Sequence, residues 1–234
     1  MKWNRKFNYP TSSRSVINGS RHYSIDQQKL PSVTAVLSKT KPIEDIQALA
    51  SWKARVGEKE SLRIKNEASA NGTKIHNILE SYLKNRENLD LLEFEEESGL
   101  AKKMANLIIS EGIEGKLDEI HGVECTLFFP GSKGYAGTAD LVATFESQLS
   151  ICDYKQKNSI MKESYSSYHE YMTQIAGYSL AHDKVYGSTI TQGVILLATT
   201  DLVFQIFRIN HEKLKEYQQR FLNRLDQYYS LINK

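Results

Sequence analysis

The spacing of apolar positions divides the chain into a largely helical first half and a second half that mixes strands and helices. Ile75, Ile78, Leu79, Tyr82 and Leu83 recur at i, i+3, i+4, i+7 and i+8, one face of an amphipathic helix. Upstream, the pattern predicts helices over about residues 43–52 and 59–70, with Asn71-Gly72 as a break before the stripe. Ser32 is the expected N-cap of a short helix over residues 33–37. Asp90 is expected to cap a further helix that ends near Gly112. Residues 122–129, 135–145 and 149–154 then read as three strands, and 190–198 and 202–209 as two more. A helix over 165–185 lies between these groups. A closing helix over 211–232 carries Leu214, Tyr217, Phe221, Leu225 and Tyr228 on one side. Near the start, Val16-Ile17 and His22–Ile25 flank Asn18-Gly19, a hairpin signal.

This order predicts a mixed α/β fold, with a central mixed sheet flanked by helices. The expected organisation is one domain: a hairpin region over 1–31, a helical lobe over 32–113 and a sheet with its helices over 114–234. With 234 residues, 40% hydrophobic and 25% charged, the chain is long enough for one sizeable core. A net charge of +2 supplies no whole-molecule basic field. The charge is uneven, however. The first 25 residues carry Lys2, Arg5, Lys6, Arg14 and Arg21 without an acid, whereas Glu93–Glu97 forms an acidic block around Phe94. Cys125 and Cys152 fall in apolar strand segments and read as reduced buried thiols. No run reaches membrane-spanning length, so no membrane association is expected. The N-terminus lacks the apolar core of a signal peptide, and without a convincing long targeting extension a bacterial or phage-infected cytoplasm is expected over an organelle.

Two segments carry the chemistry. Gly137-Thr138-Ala139-Asp140 and Asp153-Tyr154-Lys155 put two carboxylates and a lysine into adjoining apolar strands. Buried charges are costly without a partner, so such a trio points to a bound group. Strand alternation turns Asp153 and Lys155 to one face, roughly 7 Å apart. An even-numbered turn, read as Ser147-Gln148, brings Asp140 to that same face, opposite Lys155. Paired carboxylates suit Mg²⁺ or Mn²⁺, and a neighbouring lysine can stabilise charge on a phosphate or act on the attacking water. A routine Asp–Lys pair at an exposed hairpin tip is the blander alternative. His76, at the margin of the helical stripe, is a competent Mn²⁺ ligand, and Glu80 one turn later could orient it. Glu124 precedes the trio in the neighbouring strand. Gln174 and Tyr178 stand one helical turn apart on the helix that follows.

Taken in order, Gly72-Thr73-x-x-His76, Glu124, Gly137-Thr138-x-Asp140, Asp153-x-Lys155 and Gln174-x-x-x-Tyr178 resemble the PD-(D/E)xK nuclease superfamily, in particular its RecB-like exonuclease branch. Leu30-Pro31-Ser32-Val33-Thr34, Trp52-Lys53 and the His76 helix resemble the genome-maintenance exonucleases of mitochondria and their phage-encoded relatives within that branch. Ala139 stands where the superfamily has its proline. The resemblance implies a restriction-endonuclease-like core and a helical lobe over the active site. It implies Asp140, Asp153 and His76 as metal ligands, Glu124 in the acidic cluster directly or through water, Lys155 as catalytic lysine, and Gln174 and Tyr178 as contacts to the DNA backbone. Single-stranded DNA with a free end is the implied substrate, with Lys41, Trp52, Lys53, Arg55, Arg63 and Lys65 as candidate contacts. Replication or recombination proteins are the implied class of partner. Mg²⁺ or Mn²⁺ is the implied cofactor. Two cysteines are too few for a four-cysteine iron–sulfur cluster, and no G-x-x-x-x-G-K-[ST] loop calls for ATP. A structure-specific endonuclease of the same fold and a non-catalytic nucleic-acid-binding module are the alternatives.

Overall fold

A computed structural model describes residues 1–25, 27–85 and 99–233. Asp90 and the acidic block Glu93–Glu97 lie outside the described residues. The elements in chain order are β1 (Lys2–Trp3), β2 (Ser13–Ile17), β3 (Ser20–Ile25), β4 (Gln28–Pro31), α1 (Val33–Lys39), α2 (Ile43–Val56), α3 (Glu58–Lys84) and α4 (Leu100–Leu107). They continue with β5 (Leu117–Phe129), β6 (Tyr135–Phe145), β7 (Gln148–Lys157), α5 (Ser166–Tyr186), β8 (Gln192–Thr199), β9 (Phe204–Ile209) and α6 (His211–Ile232). A π-helical turn over Ile108–Ile113 extends α4.

The principal sheet has six strands in the order β1-β5-β6-β7-β8-β9. β1 runs parallel to β5 and β7 parallel to β8, while the other pairs are antiparallel. The sheet is therefore mixed and flanked by helices, as the sequence predicts. Every residue of β8 is buried, as expected for a strand covered on both faces. On one face, Val36, Ile175, Phe221 and Leu225 build a core from α1, α5 and α6. On the other, Ile75, Leu79, Leu83, Met104 and Ile108 pack against Leu141, Tyr154 and Leu196. Buried Arg224 joins three helices on the first face. Its guanidinium donates to Thr40 Oγ1 at 2.9 Å, to Glu170 Oε2 at 2.5 Å and to the Leu37 carbonyl. A separate three-stranded sheet, β2-β3-β4, folds the Asn18-Gly19 hairpin and docks Tyr23, Ile25 and Leu30 against Ala136.

Three expectations need correction. Asn71-Gly72 does not break the helix: α3 runs unbroken from Glu58 to Lys84. An interior glycine costs about 1 kcal/mol of helix propensity, which the burial of Ile75, Leu79 and Leu83 outweighs. The β6–β7 turn is Glu146-Ser147 rather than Ser147-Gln148, since Phe145 pairs with Gln148. Both turn residues have positive φ, 47° and 66°, as a tight hairpin turn demands. Arg208 holds Glu146 through two bonds of 2.7 Å, and Asp118 accepts the Ser147 amide at 2.7 Å. Finally, Trp3 belongs to a sixth strand of the principal sheet, which a two-residue element leaves no periodicity to reveal.

Candidate active site

The turn still contains two residues, so the parity of the hairpin is kept. Leu141 pairs with Cys152, and the next step of the ladder sets Asp140 beside Asp153 rather than Lys155. On the other side of β6, Val123 pairs with Leu141 and Cys125 with Ala139, which sets Glu124 beside Asp140. Three adjacent strands thus each bring one acid to the same place. Glu124 has φ of 50°, left-handed for a residue with a Cβ, just past a register shift between Ile120 and Gly122. Such backbone costs about 1–3 kcal/mol and is concentrated at functional sites.

α3 faces this trio with His76. Nδ1 of His76 lies 3.5 Å from Asp140 Oδ1 and 3.6 Å from Glu124 Oε1, and Nε2 lies 3.2 Å from the Tyr154 carbonyl. Asp140 Oδ2 accepts the Tyr154 amide at 2.8 Å. The ligand atoms of His76, Glu124 and Asp140 all lie within 4.8 Å of one another. One imidazole nitrogen and two carboxylates form a donor set suited to Mn²⁺ or Mg²⁺. Glu124 is one of the three residues of this set. The Asp153 carboxylate, next to Asp140 across the strands, is ion-paired with Lys155. Glu80 pairs with Lys84 at 2.5 Å.

Lys155 is held on several sides. Besides Asp153, it reaches Gln174 Oε1 at 3.5 Å and sits 4.9 Å from the centroid of the Tyr171 ring. Gln174 in turn donates to the Tyr178 hydroxyl at 3.1 Å. Tyr178 passes so close to Gly137 that a Cβ there would meet its Cε1 at 2.6 Å. The glycine of Gly137-x-x-Asp140 therefore makes room for Tyr178.

These contacts set the proton affinities. Burial works against the His76 imidazolium, but Glu124 and Asp140 more than offset it and raise the pKa to about 9. Burial, then the neighbouring Asp153, raises Asp140 to about 7. Burial also opposes the Lys155 ammonium, yet Asp153 and Asp140 hold its pKa above the ordinary lysine value.

The cluster lies in a cleft of about 680 Å³. α3 walls it with Ala68, Ser69, Gly72 and Thr73, while β2 and β3 bring Arg14, Arg21 and Tyr23 to another side. Arg14 donates to Thr138 Oγ1 at 2.7 Å, and the Tyr23 hydroxyl lies 3.1 Å from the same oxygen. Arg14 and Arg21 lie outside the motifs that the sequence singles out for the site. The acid-free basic stretch at the N-terminus was the available signal. In contrast, Lys41, Trp52, Lys53, Arg55, Arg63 and Lys65 do not line this cleft. Arg63 is engaged by Glu60 at 2.6 Å and Glu67 at 2.5 Å, and α2 has no buried residue.

Fold and site together define a mixed α/β protein with a histidine–carboxylate cluster beside a partly buried lysine. No protein-family model matches the chain. It is similar to mitochondrial genome maintenance exonuclease 1 of Mus musculus, 26% identical over 216 residues that cover 87% of this chain and 60% of the mouse protein. The Homo sapiens protein of the same name is 25% identical over 216 residues, covering 87% of this chain and 59% of that protein. The chain therefore spans about 60% of the length of these curated relatives. A crystal structure of a candidate exonuclease from Eubacterium rectale superposes with a TM-score of 0.41 at 16% identity, covering 69% of this chain and 68% of that one. The sequence similarities support a relationship to exonucleases.

Proposed function

We propose that this protein is a metal-dependent nuclease that hydrolyses DNA phosphodiester bonds from the free ends of single strands, in replication, repair or recombination. The observation that carries this reading is the meeting of His76 with Glu124, Asp140, Asp153 and Lys155 from three adjoining strands in one cleft. The similarity to exonucleases supports the same reaction class.

His76, Glu124 and Asp140 would hold a divalent cation, Mn²⁺ or Mg²⁺, with Asp153 beside them. When bound, the ion supplies Lewis acidity toward phosphate oxygen and acidifies water. The chain's own groups do the rest. Lys155, kept as an ammonium by its acidic neighbours, places positive charge where a phosphate accumulates negative charge. Gln174 positions that ammonium, and Tyr178 positions Gln174. Arg14 and Arg21 give the entering backbone guanidinium partners.

The test compares end-labelled linear DNA with circular DNA, each single- and double-stranded, with Mg²⁺ or Mn²⁺ and with EDTA. The expected result is metal-dependent loss of linear single strands while circles survive. Cleavage of single-stranded circles would point instead to an endonuclease. Binding without cleavage of any substrate would leave only a nucleic-acid-binding module.

A further inference from the structure

A second groove, of about 1030 Å³, adjoins the cleft and shares Arg14, Glu124 and Thr138 with it. It exists because β1 covers so little of β5. Lys2 and Trp3 pair with Glu119 and Ile120, and the Asn4 amide still donates to the Ile120 carbonyl at 2.8 Å. The chain then arches away and returns at Ser12, whose hydroxyl lies 2.8 Å from that of Thr126. The arch is braced from behind. Phe7 meets His182 edge-on at 4.5 Å, Tyr9 bonds His182 at 3.2 Å, and Tyr186 donates to the Asn8 carbonyl at 3.1 Å.

The lining of this groove has a definite chemistry. Trp3 is half-buried, and the guanidinium of exposed Arg5 lies 5.0 Å from the centroid of its ring. Arg14 stands at the junction with the cleft. The arm that supplies these groups contains no acid. Flat aromatic faces interleaved with cations suit a polyanion with stackable rings, which is single-stranded nucleic acid.

We propose that this groove binds the nucleotides next to the one held in the cleft, stacking bases at Trp3 and Arg5 while the backbone passes Arg14. This extends the nuclease reading and rests on it. The groove makes the site longer than the catalytic cluster alone, so short oligonucleotides forgo part of the binding surface.

Tryptophan fluorescence tests the assignment. The chain has two tryptophans, so Trp52→Phe leaves Trp3 as the sole reporter. In EDTA, an oligothymidylate of about 8 nucleotides should quench Trp3, whereas a dinucleotide at equal occupancy should not. Arg5→Ala in that background should weaken binding of the longer ligand by about 5-fold or more. It leaves the Trp3 Nε1 bond to the Leu83 carbonyl, 3.2 Å, in place. Unquenched Trp3, or unchanged affinity in the Arg5 variant, overturns the groove while a protein that still cleaves single strands keeps the nuclease reading. A wild-type protein that cleaves nothing with either metal overturns the reading beneath it.

Discussion

Asp140 divides its two oxygens between tasks: Oδ2 accepts the Tyr154 amide at 2.8 Å, and Oδ1 faces His76 Nδ1 at 3.5 Å. One oxygen ties two strands together, and the other is available to a ligand. Asp140→Asn can keep the first bond through its amide oxygen, but it then turns an NH₂ group toward His76. We predict that this variant folds with wild-type thermal stability or better, since a buried carboxylate has been neutralised. Its Mn²⁺ affinity should fall by at least about 10–100-fold. Titration calorimetry beside a melting curve separates the two effects, and an unchanged Mn²⁺ affinity would remove Asp140 from the ligand set.

Buried Asp153 is ion-paired with a partly buried Lys155. Lys155→Met strands the Asp153 carboxylate in the sheet, and breaking one side of a buried pair costs about 3–5 kcal/mol. The double variant Asp153→Asn/Lys155→Met should regain most of that stability. It should nevertheless remain at least about 100-fold slower in cleavage. Chemical denaturation and a single-turnover assay on the same preparations decide the matter. A double variant with near-normal cleavage would show that the pair is structural alone.

The raised pKa of His76 fixes a direction with pH. Its imidazolium contributes fully to stability of the metal-free protein below about pH 6.5, and that contribution is lost as pH rises through about 9. Imidazolium cannot ligate, so an entering cation must displace the proton. Mn²⁺ affinity should therefore climb by roughly tenfold per pH unit as pH approaches 9 from neutrality. Below about 7, a second proton on Asp140 steepens the dependence. Calorimetry in two buffers of different ionisation enthalpy counts the protons released, and His76→Ala, which keeps only the Asp140 proton, is the control. Wild-type protein that binds Mn²⁺ without releasing protons near pH 8 would contradict the arrangement.

Gly137 tests how Lys155 is positioned. A Cβ at this residue would meet Tyr178 Cε1 at 2.6 Å, and Tyr178 steadies Gln174, which touches Lys155. Gly137→Ala should cost about 1–3 kcal/mol as the ring is pushed aside, with a drop in kcat. Tyr178→Phe keeps the ring and removes only the acceptor for Gln174, so its stability should stay closer to wild type while kcat still falls. Equal kcat in wild type and Tyr178→Phe would show that the hydroxyl has no part in positioning.

Much of this architecture could be read from the chain because its signals are local. The i, i+3, i+4 stripe from Ile75 to Leu83 and the apolar run through β6 each specify an element without reference to the rest of the fold. The shared face of Asp140 and Asp153 also followed from strand parity, even though the turn lies one residue earlier than expected. What escaped depends on distant packing. Gly72 stays helical because of side chains that α3 buries later. The left-handed Glu124 arises at an irregularity in β5, where the ring of Tyr9 occupies the space a Cβ of Gly122 would fill. Arg14 and Arg21 reach the cleft only because a small sheet docks on Ala136.

The cluster takes its carboxylates from the sheet and its imidazole from a helix. The two parts meet through the apolar seam beneath α3, not through a shared stretch of chain. Widening that seam would dismantle the nitrogen–oxygen donor set while leaving every strand pair intact. With the cation held as proposed, its occupancy gauges how firmly the helix is seated, and substitutions at Leu79 or Leu83, remote from any substrate, should register as weakened cation binding before they register as unfolding.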